Sequence, residues 1–283
     1  MRYERILRKV NHEPWLITKE AHASILALIE SKLAQSIFEK DGKFIARPET
    51  DFFGEPLPQM TFDENRIATI PIRGVIGQGF GAFEKSCGAV DTGDIADEID
   101  EANSRGAKAI ILDFDSPGGT VNGTPELADK IAASQRDGGA EIYSFTGSMI
   151  ASAAYWIASS AFGGIYATKM ADIGSIGVYM PWKDQTKRFE MMGVRVELIK
   201  SGKLKGAGYP GTSLTEDQRA DFQNSVDQTF QMFAEHVRGY RKDVPDSAMQ
   251  GQTMFGKDAL NAHLIDGIVG GISEVKAKIL SAK

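Results

Sequence analysis

Apolar residues recur along this chain with two periods, and the switches between them mark its elements. From Arg66 to Arg73, Ile67, Ile70 and Ile72 with Thr69 read as a strand, and Ala109 to Phe114 is a nearly continuous apolar run of the kind a fully buried strand requires. Gly93 to Ser104, between them, has the spacing of a helix. The alternation continues with a helix at Thr124 to Ser134, a strand at Glu141 to Phe145 and a helix at Ser152 to Ser160. Strands at Gly164 to Ala167 and Ser175 to Met180, a helix at Gln185 to Met192 and a strand at Val194 to Lys200 follow. Repeated strand and helix alternation predicts an α/β fold, with a mainly parallel sheet and crossover helices.

The two ends depart from this rhythm. Trp15-Leu16-Ile17-Thr18 leads into Lys19 to Leu33, where Ala23, Ile25, Leu26, Leu28, Ile29 and Leu33 predict an amphipathic helix. Asp51 to Pro58 has the Gly and Pro punctuation of a linker, so the expected division is an N-terminal extension, residues 1–60, and a main domain, 61–283. Near the other end, Thr215-Glu216-Asp217-Gln218 has the form of a capping box. Phe222, Val226, Phe230, Phe233 and Val237 continue it as a long helix to about Tyr240. A short helix ending near Asn261 to His263, a last strand and turn at Leu264 to Val269, and a terminal helix at Ser273 to Leu280 close the chain.

Composition narrows the function classes. A chain of 283 residues, 42% hydrophobic, can bury one large core or two modest ones. A formal charge of -6, a pI near 5.4 and the lack of a dense Lys/Arg stripe leave no electrostatic footprint for nucleic acid. Cys87 is the only cysteine, so neither an internal disulfide nor a zinc thiolate pair is available, and a reducing, cytoplasmic setting is expected. The N-terminus begins with charges but has no apolar run of signal-peptide length. The uncharged window from Ile142 to Thr168 is long enough to span a bilayer, yet it holds five serines, two threonines and three glycines, so no membrane span is expected.

That same window contains the first candidate for chemistry. Ser152 lies among Ala151, Ala153 and Ala154, after a predicted strand and at the start of an apolar helix, where a nucleophile would be uncrowded. The N–H of Ala153 would be free to donate and the helix dipole would favour developing negative charge. A serine here could equally cap the helix and nothing more. As a nucleophile it needs a base. Of the four histidines, His12 and His22 fall in the extension and His236 and His263 near the end, so none comes from the turns nearest Ser152. Lysine can serve if it loses its proton, although a solvated lysine is only about 0.04% neutral at pH 7. Lys205 follows the predicted strand Val194 to Lys200 by a turn at Gly202, Lys200 and Lys203 are its rivals, and periodicity does not choose among the three. Gly118 and Gly119 follow the buried strand at Ala109, and their backbone N–H groups, with that of Ala153, could hold an oxyanion. The Walker lysine pattern that would suggest phosphate binding is missing.

Six segments taken in order resemble the S49 serine peptidases, the signal peptide peptidase A family, within the broader ClpP and crotonase-like fold superfamily. They are Asp115-Ser-Pro-Gly-Gly119, Ala151-Ser-Ala-Ala-Tyr-Trp156, Gly174-Ser-Ile-Gly177, Ile199-Lys-Ser-Gly-Lys-Leu-Lys205, and Gly251-Gln-Thr-Met-Phe-Gly256 with Leu264-Ile-Asp-Gly267. The resemblance implies Ser152 as nucleophile and Lys205, 53 residues later, as general base. It also implies Gly118, Gly119 and Ala153 as the oxyanion hole and Ser175 as the group orienting the lysine, with no metal or organic cofactor. Many cellular members carry Ser-Gly-Gly where this chain has Ser152-Ala153-Ala154, which adds a methyl beside the donor. The N-terminal segment, with Glu13-Pro14-Trp15-Leu16 in place of a membrane anchor, resembles the phage and prophage branch of capsid assembly or head maturation proteases. That branch implies capsid or scaffold proteins as substrates, a homo-oligomer, and a location in the host cytoplasm or virion. The competing readings are a soluble degradative signal-peptide-peptidase-like protease, a non-catalytic capsid-associated protein, and a crotonase-like acyl-CoA enzyme, for which no CoA surface is identifiable.

Overall fold

The computed structural model describes residues 15–18, 21 and 57–282. The helix expected at Lys19 to Leu33 and most of the linker at Asp51 to Pro58 lie outside them. The strands, in chain order, are β1 Trp15–Ile17, β2 Thr61–Phe62, β3 Ile67–Arg73, β4 Val75–Gly77, β5 Ala89–Asp91 and β6 Ala109–Ser116. Then come β7 Gly118–Thr120, β8 Glu141–Ala151, β9 Ile165–Ala167, β10 Asp172–Gly174, β11 Thr253–Phe255 and β12 Gly267–Ile268. The helices are α1 Ala82–Ser86, α2 Thr92–Ser104, α3 Thr124–Arg136, α4 Ala153–Ala158, α5 Thr186–Met191, α6 Glu216–Tyr240, α7 Gly256–Asn261 and α8 Ile272–Ser281.

The chain divides into two compact units. One holds Leu16 to Gly177 and the residues from Phe233 onward; the other holds Trp15 with Val178 to Met232. In the first, an eight-stranded sheet has the order β11-β10-β8-β6-β3-β2, with β9 on β8 and β12 on β9. The pairs β3/β6, β6/β8, β8/β9, β8/β10 and β9/β12 are parallel, and only β2/β3 and β10/β11 are antiparallel. The fold is therefore α/β with a mainly parallel sheet, as the alternation predicts.

Strand periodicity assigns the faces. Ile67, Ala109, Ile111, Tyr143 and Phe145 pack one face against Val269 and against Val275 and Ile279 of α8. Ala68, Ile70, Ile110, Leu112 and Ile142, one residue out of phase, are fully buried on the other face, where α2, α3 and α4 contact the sheet. Each buried isoleucine contributes about 1.5–3 kcal/mol to holding the strands that carry the site.

Helix signals are met by hydrogen bonds. Asp91 caps α2, accepting from Gly93 N at 2.8 Å. The capping box forms as the sequence predicts: Thr215 Oγ1 accepts from Gln218 N at 3.3 Å and Gln218 Oε1 from Thr215 N at 3.0 Å.

Two predicted strands are absent. Ser175 to Met180 is not a regular strand; the pairing segment lies just before it, at β10. Val194 to Lys200 alternates in sequence but pairs with nothing as a strand, and Val194 and Ile199 are exposed. Alternation alone does not make a strand where no neighbouring edge accepts its N–H and C=O groups. Conversely, a four-stranded sheet in the order β1-β7-β4-β5 was not legible, because each strand is only three residues long and β7 is two-thirds glycine.

Candidate active site

The site begins with a register shift. β6 and β8 pair in step from Ala109↔Glu141 to Phe114↔Thr146, but the next partners are Ser116↔Ile150, so β8 carries two more residues than β6 over that interval. Gly147 and Ser148 accommodate the excess. The irregularity brings the end of β6, with Pro117 and Gly118 after it, beside the end of β8, where Ser152 turns the chain into α4.

Ser152 has φ 55° and ψ −117°, a conformation that costs a non-glycine residue about 1–3 kcal/mol. Its backbone is held on both sides: its N–H donates to Gly174 O at 2.8 Å and its carbonyl accepts from Trp156 N at 3.0 Å. Its side chain caps nothing. The hydroxyl is buried and has no hydrogen-bond partner among the described residues, at a further cost of about 1–3 kcal/mol. A strained strand-to-helix turn that presents an unpaired serine hydroxyl is the arrangement of a nucleophile elbow.

The glycine turn lies against it. A Cβ on Gly118, which has φ 104°, would stand 2.9 Å from Ser152 Cβ, 3.0 Å from Ala151 O and 2.1 Å from Leu16 O, so only glycine fits there. The Gly118 N–H donates to Ser116 Oγ at 3.2 Å, and Ser116 Oγ in turn donates to Gly74 O at 2.6 Å. Ser116 therefore fixes the turn, a role the sequence did not reveal. A Cβ on Gly119 would lie 1.7 Å from Ile76 O. Gly119→Ala must separate β7 from β4, and we expect a loss of at least about 3 kcal/mol, read as a lowered denaturation midpoint.

Ser175 follows from parallel pairing. β8 and β10 match Ala151 with Gly174, so Ser152 and Ser175 are the first positions past the ends of neighbouring strands, where the Ser152 N–H still donates to Gly174 O at 2.8 Å. Ser175 is buried and, like Ser152, has positive φ, 51°. Its N–H is held by Gln252 O at 2.7 Å, from the Gly251 to Gly256 segment.

The three candidate lysines belong to the other unit: Lys203 and Lys205 lie on a succession of turns from Ser201 to Gly208, and Lys200 just before it. Lys200 Nζ donates to Lys203 O at 2.9 Å, and Lys203 Nζ is 3.5 Å from Asp217. Lys205 is exposed, and its ammonium has no hydrogen bond or ion pair among the described residues; its backbone N–H closes the turn on Gly202 O at 3.3 Å.

The histidines are engaged elsewhere. His236 Nε2 and Ser160 Oγ share a hydrogen bond of 3.0 Å, beyond the far end of α4 and about 12 Å of helical rise from Ser152. His263 is exposed on the turn after α7, and His12 and His22 lie outside the described residues. Burial pushes His236 down to about 4, against the opposing pull of Asp129. Because the folded value lies below the ordinary 6.5, the unfolded chain binds more protons between these limits. The stability tied to neutral His236 is complete above about pH 6.5 and is lost as pH falls toward 4. Allowing for its partial exposure, the loss is about 2–3 kcal/mol, and His236→Gln should flatten the slope of melting temperature over this range.

Behind α4, Tyr155 donates its hydroxyl to Leu264 O at 2.8 Å, and burial raises its pKa. Arg241 grips Asp266 through Nη1 at 2.9 Å and Nη2 at 3.1 Å and donates from Nε to His263 O at 2.8 Å. Asp266 also accepts from Ile165 N at 2.7 Å, so the Leu264 to Gly267 motif serves to tie the C-terminal segment to β9. Among the described residues, no three His, Cys, Asp or Glu side chains converge as metal ligands, and no helix is long and apolar enough to cross a membrane.

A serine turn between strand and helix, a glycine turn pressed against it and a mainly parallel α/β sheet make up the candidate site, and residues 134–281 match the model of Peptidase family S49. The chain belongs to that family. It is 32% identical over 216 residues to the capsid assembly protease C of Escherichia phage lambda, covering 75% of this chain and 48% of that protein. It is 27% identical over 208 residues to the head-tail preconnector protein GP5 of Enterobacteria phage P21, covering 72% and 41%. The chain thus spans about half or less of these relatives. Among solved structures, the catalytic domain of ClpP protease from Plasmodium falciparum aligns over 74% of this chain and 86% of that one, with a TM-score of 0.39 and 12% identity.

Proposed function

We propose that this chain is a serine endopeptidase in which Ser152 is the nucleophile and Lys205 the general base. The observation that carries the reading is the buried Ser152 hydroxyl, on a strained turn and with no hydrogen-bond partner among the described residues, because both features cost stability. Lys205 is favoured over Lys200 and Lys203 because its ammonium is not engaged by a neighbour among the described residues.

In the reaction, Lys205 in its unprotonated form takes the Ser152 proton as Oγ attacks the scissile carbonyl, and returns it to the departing amine as the C–N bond breaks. Water, deprotonated by the same lysine, then attacks the acyl-enzyme; the lysine returns that proton to Ser152 Oγ as the ester C–O bond breaks and the acid is released. The tetrahedral oxyanion rests on backbone N–H groups of Ala153 and the glycine pair. Of that pair, Gly119 is the better donor, since the Gly118 N–H already serves Ser116. Ser175, adjacent in register to Ser152, is assigned to orient the lysine amine.

The two phage relatives, a capsid assembly protease and a head-tail preconnector protein, support capsid or scaffold proteins as substrates and activity in the host cytoplasm or virion. The test is co-expression of the wild type and Ser152→Ala with the capsid and scaffold proteins encoded beside the gene, followed by intact-mass measurement of every chain. Serine-dependent truncation of one of them is the expected result, and identical masses would overturn the substrate assignment.

Self-association is part of the proposal. Met191, Met192, Val194, Ile199, Leu204 and Tyr209 are all exposed within one stretch, an unusual concentration of apolar surface that a second copy could cover. The double variant Met191→Glu, Ile199→Glu should sediment as a smaller species than the wild type at micromolar concentration.

A further inference from the structure

We infer that Trp15–Thr18 is a built-in occupant of the peptide-binding strand beside Ser152, and that it must leave before substrate can bind. This rests on the peptidase reading of Ser152. β1 is the edge strand of the smaller sheet and pairs with β7, the strand that contains Gly118 and Gly119. Thr18 N–H donates to Pro117 O at 3.0 Å. In an antiparallel ladder anchored by that bond, the next bond runs from the Gly119 N–H to the Leu16 carbonyl. The observed position of Leu16 O agrees with this. The point where a Gly118 Cβ would stand is 2.1 Å from Leu16 O and 2.9 Å from Ser152 Cβ, so these two atoms lie within about 5 Å of each other.

The consequence is chemical as well as steric. Leu16 brings a peptide carbonyl to the strand whose Gly119 N–H is the proposed oxyanion donor, beside the proposed nucleophile. An extended peptide adding to a sheet edge gains affinity from main-chain bonds of this kind, whatever its sequence. The edge of β7 is the available one, since its other side is held by β4. Leu16 and Ile17 are buried there, at 0% and 3% exposure, so the segment is packed in place. Because it belongs to the same chain, its effective concentration is on the order of millimolar, and a peptide arriving at micromolar concentration is outcompeted. The occupant is extended and aliphatic, which also describes the class of peptide the track accepts.

The test compares full-length wild type, Leu16→Asp and Thr18→Pro. The first change puts a carboxylate into a buried apolar position; the second removes the N–H that binds Pro117, together with the hydroxyl that accepts from Ala21 N at 3.4 Å, and fixes φ. Circular dichroism melting establishes that each variant is folded, and Thr18→Pro leaves the interior untouched if Leu16→Asp melts. The readout is the rate at which a fluorophosphonate adds to Ser152, followed by intact mass. Displacing the strand should accelerate labelling at least tenfold, and a synthetic peptide with the sequence from Glu13 to Lys19, at millimolar concentration, should restore the slow rate. Equal rates in wild type and folded Thr18→Pro would overturn the inference. If no form is labelled, it is the peptidase reading that fails. Occupancy of the strand is then judged by fluorescence polarisation of the labelled peptide: saturable binding to a folded displaced-strand variant supports it, and no binding overturns it.

Discussion

Replacing Ser152 with alanine should abolish peptide cleavage and make the protein more stable. Loss of the nucleophile should lower the rate by about 10⁴ to 10⁶-fold, the range seen when a nucleophile that works with a base is removed. The opposite change in stability distinguishes this serine from one that merely caps a helix. A capping serine stabilises its helix by about 1 kcal/mol, and its replacement by alanine lowers the melting temperature. Ser152 caps nothing, and its buried hydroxyl has no partner among the described residues. Removing it eliminates a desolvation cost of about 1–3 kcal/mol, so thermal melting should rise by several degrees. Ser152→Gly should gain further, because it also relieves the positive φ. A lowered melting temperature for Ser152→Ala would return the residue to a structural role.

Lys205→Met should lower cleavage by about 10² to 10⁴-fold, the usual worth of a positioned general base. Lys200→Met and Lys203→Met should each stay within a few-fold of wild type. Their ammonium groups already have partners, a backbone carbonyl and Asp217, and neither is assigned to the reaction. Arginine at position 205 should not rescue activity, since a guanidinium keeps its proton throughout the accessible pH range and cannot act as a base. Single-turnover kinetics with a peptide substrate separates these cases: the Lys205 variants should bind peptide normally and fail in acylation. Full activity in Lys205→Met, with loss in Lys200→Met or Lys203→Met, would move the base along the same turn.

The central sheet was readable because its strands are long, buried and strongly patterned. Ile67–Arg73, Ala109–Ser116 and the helices Thr92–Ser104 and Thr124–Arg136 fall within a residue or two of their predicted bounds. β8 was predicted to stop at Phe145 but runs to Ala151, with Gly147 and Ser148 taken up in a bulge. That misreading concerns the site directly, since the bulge sets Ser152 beside Gly118. Local pattern also failed where partners decide. Val194 to Lys200 alternates without a strand to pair with, and Trp15–Ile17, read as a lead into a helix, finds the edge of β7. The β-rich run Trp15-Leu16-Ile17-Thr18 was the available signal for that strand. Ser152 and the glycine pair could be singled out from sequence because each sits where a strand ends. Ser116 could not, because its role depends on a carbonyl 42 residues away.

The most direct test of the account is the intact mass of the full-length protein after exposure to a fluorophosphonate, with Ser152→Ala and Lys205→Met treated in parallel. The account predicts one adduct on the wild type, mapped to Ser152, none on Ser152→Ala, and labelling at least about a hundredfold slower on Lys205→Met. An adduct at another residue, or equal labelling with and without Lys205, would contradict it.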